Sequence, residues 1–242
     1  MQIDAMVLRN MTNLKNNAYP GRGIVIGKSP DARNLIQIYW IMGRSENSKN
    51  RIFARETSGF VKTEVFDKSK AIDSSLTIYY PIKYYKNCHI VTNGNHTDTI
   101  LDGLKYGETF EQCLKETYYE PDHPHYTPRI SGLVNLDDNL YDYQLSIIKR
   151  VHGHPESCVR NFHDYTQAIP GRGHCITTYV GDGNPLPSFE GEPLVVELIN
   201  DIERVAEHYW GILNEENRVA LLVKFIDIDS KRAMIKIINK NI

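Results

Sequence analysis

The sequence has few cysteines and no large excess of either charge. Four cysteines are spread over 242 residues without a C-x-x-C pair, so neither a disulfide framework nor a cysteine-based zinc site is indicated, and reduced thiols are expected. The formal net charge is −2, with 28 basic and 30 acidic residues spread along the chain. This balance does not favour a nucleic-acid partner, which normally requires a basic face.

Long apolar runs and low-complexity segments are also missing. No run approaches the roughly 18 apolar residues of a membrane span, and the N-terminal residues lack the apolar core of a signal peptide. We therefore expect a cytoplasmic protein without a membrane partner. No linker rich in proline, glycine or serine divides the chain, which predicts a single domain over residues 1–242.

Short β-type segments are the most frequent pattern in the chain. The nearly continuous apolar run at 35–42 predicts a buried strand, and further strands are predicted at 23–28, 59–66, 76–80, 88–92, 176–180, 218–226 and 232–238. Apolar residues at helical spacing predict helices at 97–106, 108–117 and 198–213. The combination predicts an α+β fold in which sheets pack together and helices cover them.

One four-residue string occurs twice. Pro-Gly-Arg-Gly stands at 20–23 and again at 170–173, each time ahead of a β-type run. The repeat marks either two hairpin-like halves of one fold or nothing at all.

A polar segment joins a predicted strand to a predicted helix at residues 93–98, Asn-Gly-Asn-His-Thr-Asp. A helix N-terminus has free N–H groups and the positive end of the helix dipole, so it can hold an anion. The two asparagines, His96 and Thr97 can add hydrogen bonds beside it. The alternative is structural, because Asn-Gly is a common turn and Thr97 or Asp98 is a common N-cap.

A proline-rich loop follows at residues 119–130. His123 and His125 with Asp122 have the spacing of metal ligands, but no matching third and fourth ligands follow nearby, so a solvated loop is favoured and no metal site is predicted. Arg129 follows Pro128 and is suited to clamp a phosphate or carboxylate. Its alternative interpretation is a surface salt bridge.

Two further segments carry reactive or charged side chains. Arg44 and Arg51 follow the buried strand at 35–42, where a pocket often lies; their alternative is a solvated loop. His174 and Cys175 are neighbours on a predicted β-type run. Adjacent residues on a strand point to opposite faces, so they are not expected to form a Cys–His dyad.

Four motifs follow one another in a characteristic order. They are Pro20-Gly21-Arg22-Gly23, then Gly43-Arg44-Ser45 with Asn50-Arg51, then VTNGNHTDTI at 91–100, then Tyr119-Glu120 followed by Thr127-Pro128-Arg129-Ile130. Together they resemble the archaeal-type IMP cyclohydrolase family and its longer bacterial relatives. The resemblance is good over residues 19–135 and weaker beyond them.

The resemblance implies a fold, a reaction and a substrate. The fold is the four-layer αββα sandwich of N-terminal-nucleophile hydrolases without their nucleophile, and Met1 and Gln2 supply none. The reaction closes the purine ring of 5-formamidoimidazole-4-carboxamide ribonucleotide to give IMP and water, with no metal or organic cofactor. A homo-oligomer is also implied. The alternatives are a purine-nucleotide-binding protein without turnover and an amide-bond hydrolase on the same scaffold.

The resemblance also implies roles for individual residues. Tyr79 is predicted to donate a hydrogen bond to the formyl oxygen, Glu120 to assist proton transfer, and Arg51 and Asn93 to belong to the catalytic group. The predicted substrate-binding residues are Arg22, Arg44, Asn50, Asn95, His96, Thr97, Asp98, Thr127 and Arg129.

Overall fold

The computed structural model describes residues 5–70, 78–138, 140–151 and 154–242. Met1 and Gln2 lie outside these residues, as do the first two residues of the strand predicted at 76–80. The described part of the chain contains thirteen strands in two antiparallel sheets, together with five α-helices and a short 3-10 helix (Lys68–Lys70). This confirms the predicted α+β class with sheets that pack on each other.

Six strands form the first sheet. They are β1 (Gly23–Lys28), β2 (Asn34–Met42), β10 (Arg172–Thr177), β11 (Leu194–Glu197), β12 (Arg218–Asp227) and β13 (Ala233–Asn239). Their spatial order is β11-β10-β1-β2-β12-β13, and all neighbours are antiparallel. The predicted closing hairpin of the chain is confirmed as the β12–β13 pair.

Seven strands form the second sheet. They are β3 (Arg51–Arg55), β4 (Val61–Val65), β5 (Ile82–Tyr85), β6 (Cys88–Thr92), β7 (Arg129–Asn135), β8 (Tyr143–Val151) and β9 (His154–Tyr165). They follow one another in chain order as an antiparallel meander. The starts of β3 and β7, which carry Arg51 and Arg129, therefore belong to the same sheet.

Helices cover the outer faces of both sheets. Their bounds are α1 (Ala5–Asn16), α2 (Glu46–Lys49), α3 (His96–Lys105), α4 (Phe110–Leu114) and α5 (Ile202–Ile212). α1 and α5 pack on the first sheet, and α3 and α4 pack on the second. None of these helices, in the part of the chain described, is both long enough and apolar enough to cross a bilayer.

The apolar run of β2 is explained by burial on both of its faces. Tyr39 and Ile41 point into the core between the sheets, whereas Ile38 and Trp40 point into the core beneath α1 and α5. A strand with no solvent face has no reason to alternate polar and apolar residues. The prediction of a buried strand at 35–42 is confirmed.

Four predicted elements differ clearly from the structure. The helix predicted at 198–213 is α5, which begins only at Ile202. The strand predicted at 176–180 is β10, which begins earlier, at Arg172, and ends at Thr177. The helix predicted at 108–117 is the shorter α4, which begins at Phe110 and whose N-cap Thr109 forms a capping box with Gln112 in its first turn. Residues 78–80 are not part of a strand; their backbone is instead held by neighbouring side chains, as described below.

The repeated Pro-Gly-Arg-Gly string marks two strands that pair with each other. β1 and β10 begin within its two copies, at Gly23 and Arg172, and run antiparallel, with Gly27 opposite Gly173. Gly21 and Gly171 have φ angles of 73° and 76°, a region that glycine adopts readily. A Cβ at Gly21 would lie 2.2 Å from the Thr178 hydroxyl, so this turn needs glycine to bring Arg22 against the second copy's strand.

Candidate active site

Six buried or half-buried polar residues gather where the two sheets face each other. We call them the polar cluster: Arg22, Tyr39, Arg51, Tyr79, Glu120 and Arg129. Two come from strand starts of the second sheet, one from β2, one precedes β1, and two lie in connections before β5 and β7. Five of the six are among the predicted site residues, and the fold brings these five together from distant parts of the chain.

Arg22 and Arg51 form the positive centre of the polar cluster. Arg51 is 1% exposed; its Nε donates to the Ser48 carbonyl at 2.8 Å and its Nη2 to the Met42 carbonyl at 3.3 Å. Its Nη1 and the Nε of Arg22 are enclosed without a hydrogen-bond partner among the described residues. These are free donors in a buried place, which favours an acceptor group from a ligand.

The pKa shifts of the two guanidiniums also favour a bound anion. Burial, and next the charge of Arg22, lowers the pKa of Arg51. Burial also opposes the charge of Arg22, but the Glu120 carboxylate and nearby tyrosines raise its pKa well above the ordinary value. Within the polar cluster, the one ion pair joins Glu120 to Arg129. The repulsion between Arg22 and Arg51 is therefore available to be relieved by an anion.

Tyr39 and Tyr79 place two hydroxyl groups beside the arginines. Their oxygens are 2.7 Å apart and buried. Burial raises the pKa of Tyr39 well above its ordinary value, so this hydroxyl keeps its proton. The Tyr79 amide donates to the Thr63 hydroxyl at 2.9 Å, and the Thr63 amide donates to the Tyr79 carbonyl at 2.9 Å. The Tyr79 phenol is thus held in place although residues 78–80 form no strand.

Glu120 and Arg129 form a buried ion pair on another side of the polar cluster. Glu120 is 2% exposed and accepts from Arg129 Nη1 at 3.1 Å. Burial raises the pKa of Glu120, although the charges of Arg22 and Arg129 act to lower it. The Glu120 amide donates to the Thr127 carbonyl at 2.9 Å, which closes the loop onto the start of β7. A raised pKa makes this carboxyl group better suited to exchange a proton than a solvent-exposed glutamate would be.

Gly94 and His96 form the wall behind Arg129. A Cβ at Gly94 would lie only 1.8 Å from Arg129 Nη1, so the guanidinium rests directly on the backbone there. His96 is 3% exposed, and its Nε2 lies 3.0 Å from the Ser131 hydroxyl. Burial, followed by the charge of Arg129, lowers the pKa of His96 well below its ordinary value. His96 is therefore a neutral group, and its Nδ1 has no partner among the described residues.

The other side chains of the 93–98 segment offer no unpaired hydrogen-bonding group to the polar cluster. The Asn93 side chain is fully enclosed; it donates to the Pro128 carbonyl and accepts from the Ile130 amide, both at 2.8 Å. Thr97 is enclosed too, with its hydroxyl 2.6 Å from the Tyr80 carbonyl. Both residues tie backbone segments together.

Asn95 and Asp98 are exposed on the surface, and Asp98 pairs with Lys83. The N-cap of α3 is Asn95, without a side-chain cap bond, so the prediction of Thr97 or Asp98 as N-cap is wrong. α3 begins at His96, one residue before the start of the helix predicted at 97–106. Asn93 and Thr97 thus have structural positions and Asn95 and Asp98 lie on the surface, while Gly94 and His96 form the wall behind Arg129.

Asn50 also has a structural position. Its amide nitrogen donates to the Asp67 carbonyl at 2.9 Å, and its oxygen accepts from the Asp67 amide at 2.7 Å. Both polar atoms hold the connection after β4. The geometry therefore separates Asn50 from its neighbour Arg51, because consecutive residues at a strand start point in opposite directions.

Arg44 lies at the rim of the site. It donates to the Asp182 carboxylate at 2.6 Å and to the Gly183 carbonyl at 3.0 Å, and it lies over the Tyr19 ring at 5.1 Å. The Tyr19 ring stacks on Tyr179, with 6.1 Å between centroids. Arg44 thus holds the Gly-Asp-Gly turn at 181–183 against the rim and keeps three of its five N–H donors for other partners.

Thr127 connects the rim to the interior. Its hydroxyl lies 2.6 Å from the Tyr179 hydroxyl and 2.5 Å from the Asp122 carboxylate. Tyr39, Tyr19 and Tyr179 were not singled out from the sequence. Tyr39 stands in an apolar run where no local signal distinguishes it from a core residue, whereas Tyr179 follows the second Pro-Gly-Arg-Gly string and could have been found there.

The histidines of the 119–130 loop contact protein groups. Asp122 accepts from the Thr127 amide at 2.6 Å, His123 packs edge-on against Tyr126, and His125 Nδ1 accepts from the Leu186 amide at 3.2 Å. The described residues contain no group of three or more His, Cys, Asp or Glu arranged to hold a metal ion. The residues considered for a metal site therefore point to separate partners.

The cysteines are poorly suited to act as nucleophiles. Burial raises the pKa of Cys175 to about 12 and that of Cys113 to about 11, so neither forms a thiolate near neutral pH. His174 contacts the Tyr143 hydroxyl at 2.5 Å, whereas Cys175 lies in the core under the helices. The prediction that these neighbours point to opposite faces is confirmed.

The fold and the site together define an α+β protein with an enclosed, cation-rich candidate site. Comparison with known proteins gives the family: the chain belongs to the family described as IMP cyclohydrolase-like protein, whose model matches residues 19–231.

Two curated relatives are named IMP cyclohydrolase. The one from Methanococcus maripaludis is 28% identical over 130 residues, which is 52% of this chain and 62% of the relative. The one from Methanopyrus kandleri is 32% identical over 116 residues, 47% of this chain and 57% of the relative. The chain thus spans about three fifths of the length of the curated relatives it matches.

Proposed function

We propose that this protein is an IMP cyclohydrolase, which closes the purine ring of 5-formamidoimidazole-4-carboxamide ribonucleotide with loss of water. One observation carries the proposal: the unbalanced guanidinium pair of Arg22 and Arg51 lies next to the buried Tyr39–Tyr79 hydroxyl pair. The family of the chain and the names of its curated relatives support the same reaction.

The reaction places specific demands on the site. The carboxamide nitrogen attacks the formyl carbon, a C–N bond forms, and the formyl oxygen becomes a hydroxyl as it takes a proton from that nitrogen. The C–O bond then breaks, and the oxygen takes a second proton from the formamido nitrogen to leave as water. Both reacting groups belong to one molecule, so holding them in contact supplies a large part of the rate.

The polar cluster offers a donor for the oxygen on which negative charge develops. We assign the Tyr79 hydroxyl to the formyl oxygen, with Tyr39 orienting it and Arg51 and Arg22 stabilising the charge. Donors fixed in a buried place are most effective when charge appears only in the transition state. Glu120, whose pKa is raised by burial, is assigned to carry the proton from nitrogen to oxygen, with Arg129 orienting its carboxylate.

The rim of the site suits the substrate's phosphate. Arg44 is partly exposed, lies over Tyr19 and retains free N–H donors, so we assign the phosphate to Arg44 and the purine precursor to the interior. Thr127 and His96 are assigned to the ring and its carboxamide, since the Thr127 carbonyl accepts from the Glu120 amide and the charge of Arg129 acts on His96.

The proposal extends to architecture and setting. The helices packed on the outer faces of two facing sheets support the four-layer αββα arrangement of N-terminal-nucleophile hydrolases. We also propose that residues 1–242 act as one domain, that the protein forms a homo-oligomer, and that it works in the cytoplasm, where purine nucleotides are made.

Turnover of the formylated ribonucleotide by the purified protein tests the proposal. Product formation no faster than the spontaneous rate would overturn it, and calorimetric binding of IMP without turnover would replace it with a nucleotide-binding role. Arg51→Ala is expected to lower kcat by roughly 10²–10³-fold with an unchanged far-UV circular dichroism spectrum. The matched control is Arg9→Ala, an exposed arginine of α1, which should keep wild-type kinetics.

Arg44→Ala separates the rim from the interior. If Arg44 binds the phosphate, its loss should raise KM more than it lowers kcat, the opposite of the Arg51 variant. A fall in kcat with an unchanged KM would move Arg44 from the phosphate to the reacting groups.

A further inference from the structure

A cavity of about 190 Å³ lies apart from the polar cluster. It is bounded by the turn of the β5–β6 hairpin, the β12–β13 hairpin and the end of β3. Four of its lining residues are cationic, and no carboxylate of the described residues lines it. The cations are Arg55, Lys86, Lys224 and Lys231, and His89 and Tyr84 complete the polar lining. It shares no residue with the polar cluster.

Lys224 and His89 form the buried floor of this cavity. Lys224 is 1% exposed and His89 is 4% exposed, and Lys224 Nζ lies 2.9 Å from His89 Nδ1. A protonated lysine has no acceptor, so Nδ1 of His89 must accept and its ring proton must lie on Nε2. That Nε2 is enclosed and has no hydrogen-bond partner in the part of the chain described. The floor therefore holds an unpaired N–H donor beside an ammonium group.

The cationic groups around the floor are not neutralised by acids in the described structure. Lys231 donates to the Leu136 carbonyl at 3.2 Å, and Lys86 lies over the Tyr85 ring at 5.2 Å. Burial, with the charge of Arg55 added, lowers the pKa of Lys224 to about 7. A bound anion would relieve the repulsion that opposes the ammonium form of Lys224.

Two of the lysines are held by unusual backbone. Lys86 and Lys231 have φ angles of 53° and 61°, in the left-handed region that residues other than glycine and asparagine rarely adopt. Both stand in hairpin turns, where a glycine or asparagine would fit without strain. The chain instead carries a lysine at each turn that flanks the cavity.

We propose that this cavity is a second anion site, which binds a phosphate-sized oxyanion between the floor of Lys224 and His89 and the flanking Arg55, Lys86 and Lys231. Pockets that enclose a whole organic ligand have volumes of about 300–1,000 Å³. A cavity of about 190 Å³ accommodates free phosphate or the phosphoryl group of a small metabolite, with the rest of that metabolite outside.

The imidazole of His89 provides a local probe that the nucleotide site does not disturb. The ring carbon–proton signals of the histidines are recorded by NMR, and the His89 signal is assigned from a His89→Gln spectrum. Inorganic phosphate and glycerol 3-phosphate are titrated separately, against sodium chloride at matched ionic strength. We expect a saturable shift of the His89 signal with phosphate, and a comparable shift with glycerol 3-phosphate if the natural ligand is a phosphorylated metabolite. An unchanged His89 signal with both would overturn the proposal.

Variants connect the shift to the cavity. Lys224→Met and Arg55→Gln should each weaken phosphate binding at His89 at least tenfold; Arg55 is exposed, so its variant tests the proposal even if the buried substitution does not fold. Lys236→Gln is the matched control, because Lys236 lies on the same hairpin but pairs with Glu203 at 2.6 Å. Equal affinity in wild type, Arg55→Gln and Lys236→Gln would show that the cavity does not hold the ion. Arg51→Ala should leave the His89 titration unchanged; loss of the shift there would assign it to the nucleotide site.

Discussion

Gly94 is the position where the smallest change should disturb the site most. A methyl group there would lie 1.8 Å from Arg129 Nη1, 3.0 Å from its Cζ and 3.3 Å from His96 Nδ1. Contacts below about 3 Å are not tolerated, so in Gly94→Ala the guanidinium must move. It has little room, since Arg129 is 8% exposed and is paired with Glu120 at 3.1 Å.

The size of the effect follows from what Arg129 loses. Overpacking a filled interior costs about 1–3 kcal/mol, and complete loss of one partner of a buried ion pair costs about 3–5 kcal/mol. Because the ion pair is stretched rather than deleted, we expect Gly94→Ala to lower the free energy of unfolding by about 2–3 kcal/mol. A misplacement of about 1 Å near the reacting groups lowers activity roughly 10²-fold, which we expect for kcat/KM.

Urea unfolding and steady-state kinetics measure the two effects. Gly211→Ala is the matched control, because a Cβ at Gly211 meets nothing within 4 Å and the residue lies inside α5. That variant should be neutral or gain about 0.5–1 kcal/mol from helix propensity. The decisive comparison is Gly94→Ala in an Arg129→Gln background, where the shorter side chain no longer reaches the new methyl group.

The double-mutant cycle gives a clear refutation. If the clash with Arg129 is the cause, the added cost of Gly94→Ala in the Arg129→Gln background should fall to about 0.5 kcal/mol or less. A cost that stays at about 2–3 kcal/mol in both backgrounds would show that the reasoning is wrong and that the backbone at Gly94, rather than the guanidinium, requires glycine.

Three further predictions follow from the same structure. Tyr79→Phe should lower kcat by roughly 10²–10³-fold with little change in KM, and wild-type kcat would remove Tyr79 as the donor. Iodoacetamide at neutral pH should leave Cys113 and Cys175 unmodified in the folded protein, as seen by mass spectrometry, because burial raises the pKa of both thiols; labelling before unfolding would contradict this. Folding lowers the pKa of Lys224 from 10.5 to about 7, so the unfolded chain binds the extra proton in that range. Wild type should therefore gain stability relative to Lys224→Met as the pH rises from about 7 to 10.5, and a constant difference in urea titrations would refute it.

Local sequence patterns were sufficient for the elements with a clear period. β2 and β12 were predicted because burial on both faces leaves an apolar signal. The half-buried β13 was predicted as the partner of β12 from its β-type run after a polar turn. α1 was not predicted, although Val7, Met11 and Leu14 repeat at helical spacing and all three are buried. β9 has half-exposed and exposed residues along its whole length, so its sequence carries no apolar alternation and only pairing with β8 defines it.

The types of residue in the site could be predicted, but their partners could not. Arg51, Glu120 and Arg129 stood out as charged residues at strand ends and in a proline-rich loop. No local sequence pattern shows that the side-chain amide of Asn93 bonds to the backbone at 128–130. The same is true of the side chain of Asn50, which bonds to Asp67. Contacts between residues close in sequence follow from helix or strand geometry. Contacts between the two sheets depend on strand order and register, which no local pattern encodes.

The sequence by itself therefore determined the class of fold, the family motifs, and the arginines, tyrosines and one glutamate that the proposed reaction requires. The tertiary structure decided which of these meet. Tyr39 lies in an apolar run and resembles a core residue until the second sheet places Tyr79 opposite it. Burial then changes the ionisation of these groups. It keeps His96 neutral and raises the pKa of Glu120, and the packing places the guanidiniums of Arg22 and Arg51 near each other. These properties arise from removing water, which only the packed sandwich does.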